Sequence, residues 1–154
     1  RGLAMVVTGG AGGPVRVGAA IEIQPRPGWD VEAITTVPPS ARLHRGPVVL
    51  EVLAAAPDPA GPSALADRYV AEHLRPQLSQ LVLATPDATS LADGVPAVRF
   101  SYIGVTSDGR VVDGLVVAAT GARASAIFDA SAPNGELVTV ADDLKTMIDG
   151  AVIG

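Results

Sequence analysis

The chain has one tryptophan, and it stands in a turn, Pro25-Arg26-Pro27-Gly28-Trp29-Asp30, between an alternating apolar segment (residues 15–23) and a second extended one (residues 31–37). Proline fixes φ, glycine admits the positive φ of a tight turn, and the indole then offers ~150–250 Å² of buriable ring where two strands meet. With only two Phe and two Tyr beside it, this ring is the largest plug available to a core. Pro27, Gly28 and Trp29 are therefore expected to be structural residues that fix a corner of the fold, not reacting groups.

At 154 residues one domain is expected, burying roughly 70% of the surface that its unfolded chain exposes. The balance of 11 Lys+Arg against 16 Asp+Glu, with Lys145 the single lysine, leaves no basic stripe to neutralise phosphates, so nucleic acid is not an expected partner. Without cysteine there are no disulfides, thiol nucleophiles or zinc-thiolate sites, although this does not fix the compartment. The longest apolar runs, such as residues 52–56 and 115–119, fall far short of the ~20 residues that cross a bilayer. The chain begins at Arg1 without a charged and apolar leader; the expectation is an excised domain, attached to a membrane only through a segment absent from this sequence.

Gly9-Gly10-Ala11-Gly12-Gly13 cannot pack a core, which divides the chain into a flexible lead-in, 1–13, and a single domain, 14–154. Val15, Val17, Ala19, Ile21 and Ile23 recur at every second residue and predict one strand with a buried face. Further extended segments follow the Trp turn at 31–37, 41–45 and 48–55, with Pro38-Pro39-Ser40 as a break and Gly46-Pro47 as a turn or bulge. A helix is predicted next, with Ser63 as its N-cap, Leu65, Tyr69, Val70 and Leu74 as its apolar stripe, and Pro76 limiting it. Three extended segments come after it, at 81–90, 97–106 and 110–119. The last two are joined by Ser107-Asp108-Gly109, read as a type I′ hairpin turn. A strand at 123–130 ends at Pro133-Asn134-Gly135. The tail from Thr139 reads as a helix with Val140, Leu144, Met147, Ile148 and Ala151 on one face and Thr139 with Asp142 as its cap. The fold class is α+β, an antiparallel sheet packed against two main helices.

This order of elements resembles the Mog1/PsbP-like fold. The resemblance rests on the Pro27-Gly28-Trp29 turn, the helix after the charge-bearing strand Val48-Val49-Leu50-Glu51, the Asp93-Gly94-Val95-Pro96-Ala97 strand entry and the terminal amphipathic helix. It covers residues 14–153 and is closest in kind to actinobacterial cell-envelope domains, the LpqN-like lipoproteins and ectodomains of uncharacterised membrane proteins. A composition rich in Ala, Arg, Pro and Gly with one lysine also suits a high-GC genome. The resemblance implies an extracytoplasmic, membrane-tethered, non-enzymatic domain and supplies no catalytic residues.

Other constellations lack a required element. Thr8-Gly9-Gly10-Ala11-Gly12-Gly13 resembles the glycine turn of a dinucleotide-binding dehydrogenase, but that motif needs a helix directly behind it, and here Pro14 leads into a period-two segment. The Tyr and Lys four residues apart of such enzymes are also missing: His73 follows Tyr69 and Thr106 follows Tyr102. His44 and His73 have no ligand-like spacing. Asp142 and Asp143 point about 100° apart on a helix and favour its dipole. Ser63, Ser101, Ser125 and Ser131 lack a Gly-x-Ser-x-Gly elbow. Glu51 and Arg99 read as solvent-facing residues of half-buried strands.

No cofactor, metal or catalytic residue is expected. The favoured function is an envelope module that docks a protein partner through a sheet face, a strand edge or the Pro57–Pro62 loop. The alternative is a carrier that holds a lipid or other apolar ligand in space left by small residues such as Ala54-Ala55-Ala56 and Ala118-Ala119.

Overall fold

The computed structural model describes residues 13–154 together with the backbone of Ala4 and Met5. Most of the expected lead-in lies outside the described residues, as does the glycine run up to Gly12. Its exception is β1 (Ala4–Met5), whose backbone pairs antiparallel with Thr35 and Ile34, an edge strand that the reading from residue 14 onward does not contain.

The alternation over residues 15–23 is not one strand. It folds back on itself as β2 (Val15–Val17) and β3 (Ile21–Ile23), paired antiparallel, with the chain reversing through residues 18–20. Val15, Val17, Ile21 and Ile23 are buried as period two requires, because a tight hairpin preserves which side of the ribbon each apolar residue faces. Ala19 falls in the turn and is exposed. With β12 (Val152–Ile153) this hairpin makes a small three-stranded sheet in the order β12-β3-β2.

The main sheet combines β4 (Asp30–Thr36), β5 (Pro39–Arg45), β6 (Val48–Ala55), β7 (Ser79–Leu83), β8 (Asp87–Ser90), β9 (Pro96–Val105), β10 (Val111–Thr120) and β11 (Ser125–Pro133) with β1. Its order is β1-β4-β5-β6-β11-β10-β9-β7, β8 pairing with the other half of β9, and every pairing is antiparallel. The single extended segment expected at 81–90 is thus two strands split by residues 84–86. The β9–β10 hairpin closes through Thr106-Ser107-Asp108-Gly109, but only Gly109 has a positive φ (85°), so the turn is not type I′. Gly109 N–H reaches the Thr106 carbonyl (2.9 Å) and Thr106 N–H that of Arg110 (2.8 Å), as in a longer hairpin loop closed by a left-handed glycine.

Each face of the sheet is covered, but over different strands. On one face lies α1 (Pro62–Tyr69), continued by a π-helical turn (Val70–Leu74) and α2 (Arg75–Gln77). Leu65, Ala66, Tyr69, Val70 and Leu74 pack there on Val98, Phe100, Val116, Ala118 and Ile127. The N-cap is Gly61, not Ser63, with Pro62 in the first turn, where its missing N–H costs nothing. Pro76 sits inside the last short helical turn, one residue before it ends. On the other face, the small sheet and α3 (Ala141–Asp149) enclose a larger core built on Val31, Leu43, Leu50, Val52 and Phe128. Leu144, Met147 and Ile148 supply the buried stripe of α3, which Val140 caps; the Thr139 hydroxyl instead donates to the Glu136 carbonyl (2.6 Å). No helix among the described residues is long and apolar enough to cross a membrane.

Candidate functional site

The offset between the two covers leaves one end of the sheet bare on the α3 side. In an antiparallel sheet, cross-strand partners point to the same face. Val82 of β7 is partnered with Ile103 of β9, Ile103 with Asp113 of β10, Ser101 with Leu115, Arg99 with Val117, and Val105 with Val111. These side chains face the side on which α3 lies, yet Val82, Ile103 and Val111 remain 66%, 49% and 42% exposed. Between this bare end and α3 runs an open groove of about 470 Å³. Leu91, Leu115, Val117, Leu137, Leu144 and Ile148 make its apolar lining, and Val138, 75% exposed, stands at its helical rim.

Three of the four charged side chains of the groove are engaged. Lys145 donates to Asp149 (2.5 Å) one turn along α3, and Asp113 accepts the Gly135 N–H (2.8 Å). Arg99, also in the lining, has neither a hydrogen bond nor an ion pair among the described residues. Ser101 lies in the groove, but neither histidine does, so the pairing required for a serine nucleophile is not assembled there.

A second constellation sits on the opposite face, under α1. Asp129 of β11 is 7% exposed and accepts hydrogen bonds from the hydroxyls of Tyr69 and of Tyr102 (2.8 Å). Burial pushes its pKa up to about 6, while the two phenol donors pull the other way by favouring the carboxylate. Both tyrosines are held above the ordinary phenol range, by burial first and then by the charge of Asp129. The exposed ring of His73 stacks on Tyr69 (centroids 4.9 Å apart). Asp129 lines neither the groove nor the smaller cavity of about 200 Å³ beside α1, although its partner Tyr102 is among the residues bordering the groove. Sequence reasoning missed it. Its signal is a lone acid within the apolar strand Ser125–Pro133.

The turn picked from the sequence lies elsewhere. Trp29 is fully buried, and its indole N–H donates to Asp143 of α3 (2.9 Å). Arg45 binds the same carboxylate oxygen (2.5 Å) and Arg26 the other at 3.6 Å. The Trp29 hydrogen bond, followed by Arg45, holds the Asp143 carboxyl below the usual carboxylate range. Asp143 is therefore a clamp between the turn and α3 and more than a dipole-favouring residue; the spacing of Asp142 and Asp143 does not reveal this. Pro27 and Gly28 are exposed, and the Arg45 side chain lies against Gly28. Glu51 is half-exposed and paired with Arg42 (3.3 Å), and His44 lies beside it on β5 at an intermediate depth. Among the described residues, no three His, Cys, Asp or Glu side chains come together as a metal site.

No protein-family model matches the chain, and no curated protein matches its sequence. Solved structures do share the fold. The solution structure of cyanobacterial PsbP (CyanoP) from Synechocystis superposes with a TM-score of 0.59 over 88% of this chain and 87% of that one, at 14% identity. PA94 from Pseudomonas aeruginosa, a protein of unknown function, gives 0.52 over 64% of this chain and 67% of its own, at 18% identity. The class defined by the sheet and its two covers is thus a PsbP-like α+β fold. At these identities the likeness concerns architecture alone.

Proposed function

We propose that this chain is a non-catalytic binding domain that docks a protein partner on the bare β7–β9–β10 end of its sheet and in the adjoining groove. The observation that carries the reading is the contiguous exposure of Val82, Ile103 and Val111 on one face, opposite Val138. Exposed apolar ground rimmed by polar groups is the mark of an interaction surface, since large patches are otherwise disfavoured in water. A small apolar ligand is the second reading, supported by a groove volume inside the ~300–1,000 Å³ range of ligand sites. It is weaker because the apolar surface spreads out of the groove onto flat ground at Val82 and Val111. The alanines expected to leave room for such a ligand do not: Ala118 and Ala119 are fully buried, and none of the Ala54-Ala55-Ala56 set lines the groove.

We propose further that the domain belongs to the actinobacterial cell envelope, extracytoplasmic and tethered to the membrane; the support for this is the resemblance of its motif order to that of LpqN-like proteins. The test is photocrosslinking in the native cell from a reactive residue at position 103 or 138, with position 67 on the opposite face as control. One discrete protein adduct from the first two positions and none from 67 is expected; equal labelling from both faces, or none from either, would remove the proposal.

A further inference from the structure

We infer that the segment received by this groove is apolar and carries a carboxylate placed opposite Arg99. The inference rests on the docking reading above and deepens it to the chemistry of the partner. Of the charged groups lining the groove, Lys145 and Asp149 neutralise each other and Asp113 is held by a backbone N–H. Arg99 alone has no hydrogen bond or ion pair among the described residues; Asp87, its cross-strand neighbour on β8, makes no ion pair with it and lies outside the groove lining. It projects from β9 beside Val117, on the apolar floor, so an occupant covering that floor also takes water from the guanidinium. A guanidinium desolvated without a counter-charge is costly, whereas a carboxylate can meet its planar fork with two parallel hydrogen bonds.

The geometry also says how the segment lies. The exposed edge strand β7 is broken by a register shift between Ser79 and Val82 and by a left-handed residue at Gln80 (φ 51°). Bulged edges resist the addition of another strand. The occupant therefore packs its side chains on the face, against Ile103, Leu115 and Val138, and does not extend the ladder.

Panning a displayed library of random twelve-residue peptides on the intact domain tests this, counting only binders that are lost on Ile103→Asp. On the wild type these should be enriched in Asp or Glu among apolar residues, and on Arg99→Glu in Lys or Arg. Individual acidic binders should weaken about tenfold or more on Arg99→Gln. The same charge preference on wild type and Arg99→Glu would overturn the carboxylate inference while leaving the docking surface intact. Recovery of no Ile103-dependent peptide would overturn the docking reading itself. If, in addition, sodium dodecanoate shifted the Leu115 and Leu144 methyl resonances, the groove would belong to a small acid and not to a protein.

Discussion

Asp129 places an ionisable group where ionisation is penalised, and this gives the protein a pH dependence of definite sign. Its carboxyl titrates near 6 in the folded chain, above its ordinary 3.8. Between those values the native state holds more protons than the unfolded chain, so stability falls as pH rises from about 4 to about 6. The loss is on the order of 2–3 kcal/mol. We predict that urea denaturation of wild type and Asp129→Asn, compared at several pH values, shows the wild type losing that much relative to the variant across this window. A relative gain with rising pH would contradict the assignment. Asp143 has the opposite sign. Its depressed pKa contributes stability above the unfolded carboxylate range, lost as pH falls through the folded value. Asp143→Asn should cost about 1.5–3 kcal/mol at neutral pH, measured by the same denaturation, and little in strong acid. The indole is legible as a plug because a lone Trp between Pro-Gly and Asp has few other uses; its partner on α3 is not, since 114 residues separate them.

Among the elements, the β9–β10 pair is built around one close approach. Tyr102 lies across Gly114, where an added Cβ would come within 1.9 Å of the ring. The absence of a side chain at 114 is what lets the phenol reach Asp129. Gly114→Ala is therefore predicted to cost about 1–3 kcal/mol by overpacking, and much less in a Tyr102→Ala background, a coupling that a double-mutant cycle by thermal or urea unfolding would measure. Additive costs would show that the ring does not depend on this space. Sequence periodicity located the apolar stripes of the two main helices, Leu65, Tyr69, Val70 and Leu74 on one and Val140, Leu144, Met147 and Ile148 on the other, because burial on a helix follows its 3.6-residue repeat. It read residues 15–23 as one strand because alternation survives a tight reversal, and it set Ser63 and Thr139 as caps because a hydroxyl near a helix start is only a propensity. Gly61 and Val140 hold those positions instead.

For the molecule as a whole, what matters is that α1 covers the β9–β11 side of one face while α3 and the small sheet cover the β4–β11 side of the other. The α+β class and the two-helix cover follow from element order, which a sequence displays directly. The bare end of the sheet does not, because it arises from how far each cover reaches across its face, and alternation reads Ile103 and Val117 alike although one is exposed and the other buried. Ile103→Asp sets a carboxylate opposite Asp113 at a half-exposed strand position and should cost on the order of 1–2 kcal/mol of unfolding free energy while leaving the domain folded. It should abolish partner binding all the same. The direct test is a hydrogen-exchange footprint of the domain with the protein captured from position 103. Protection gained in residues 99–105 and 111–117 and along α3, lost again with Ile103→Asp, is the predicted outcome; protection over α1 with β9 and β10 unchanged would contradict it.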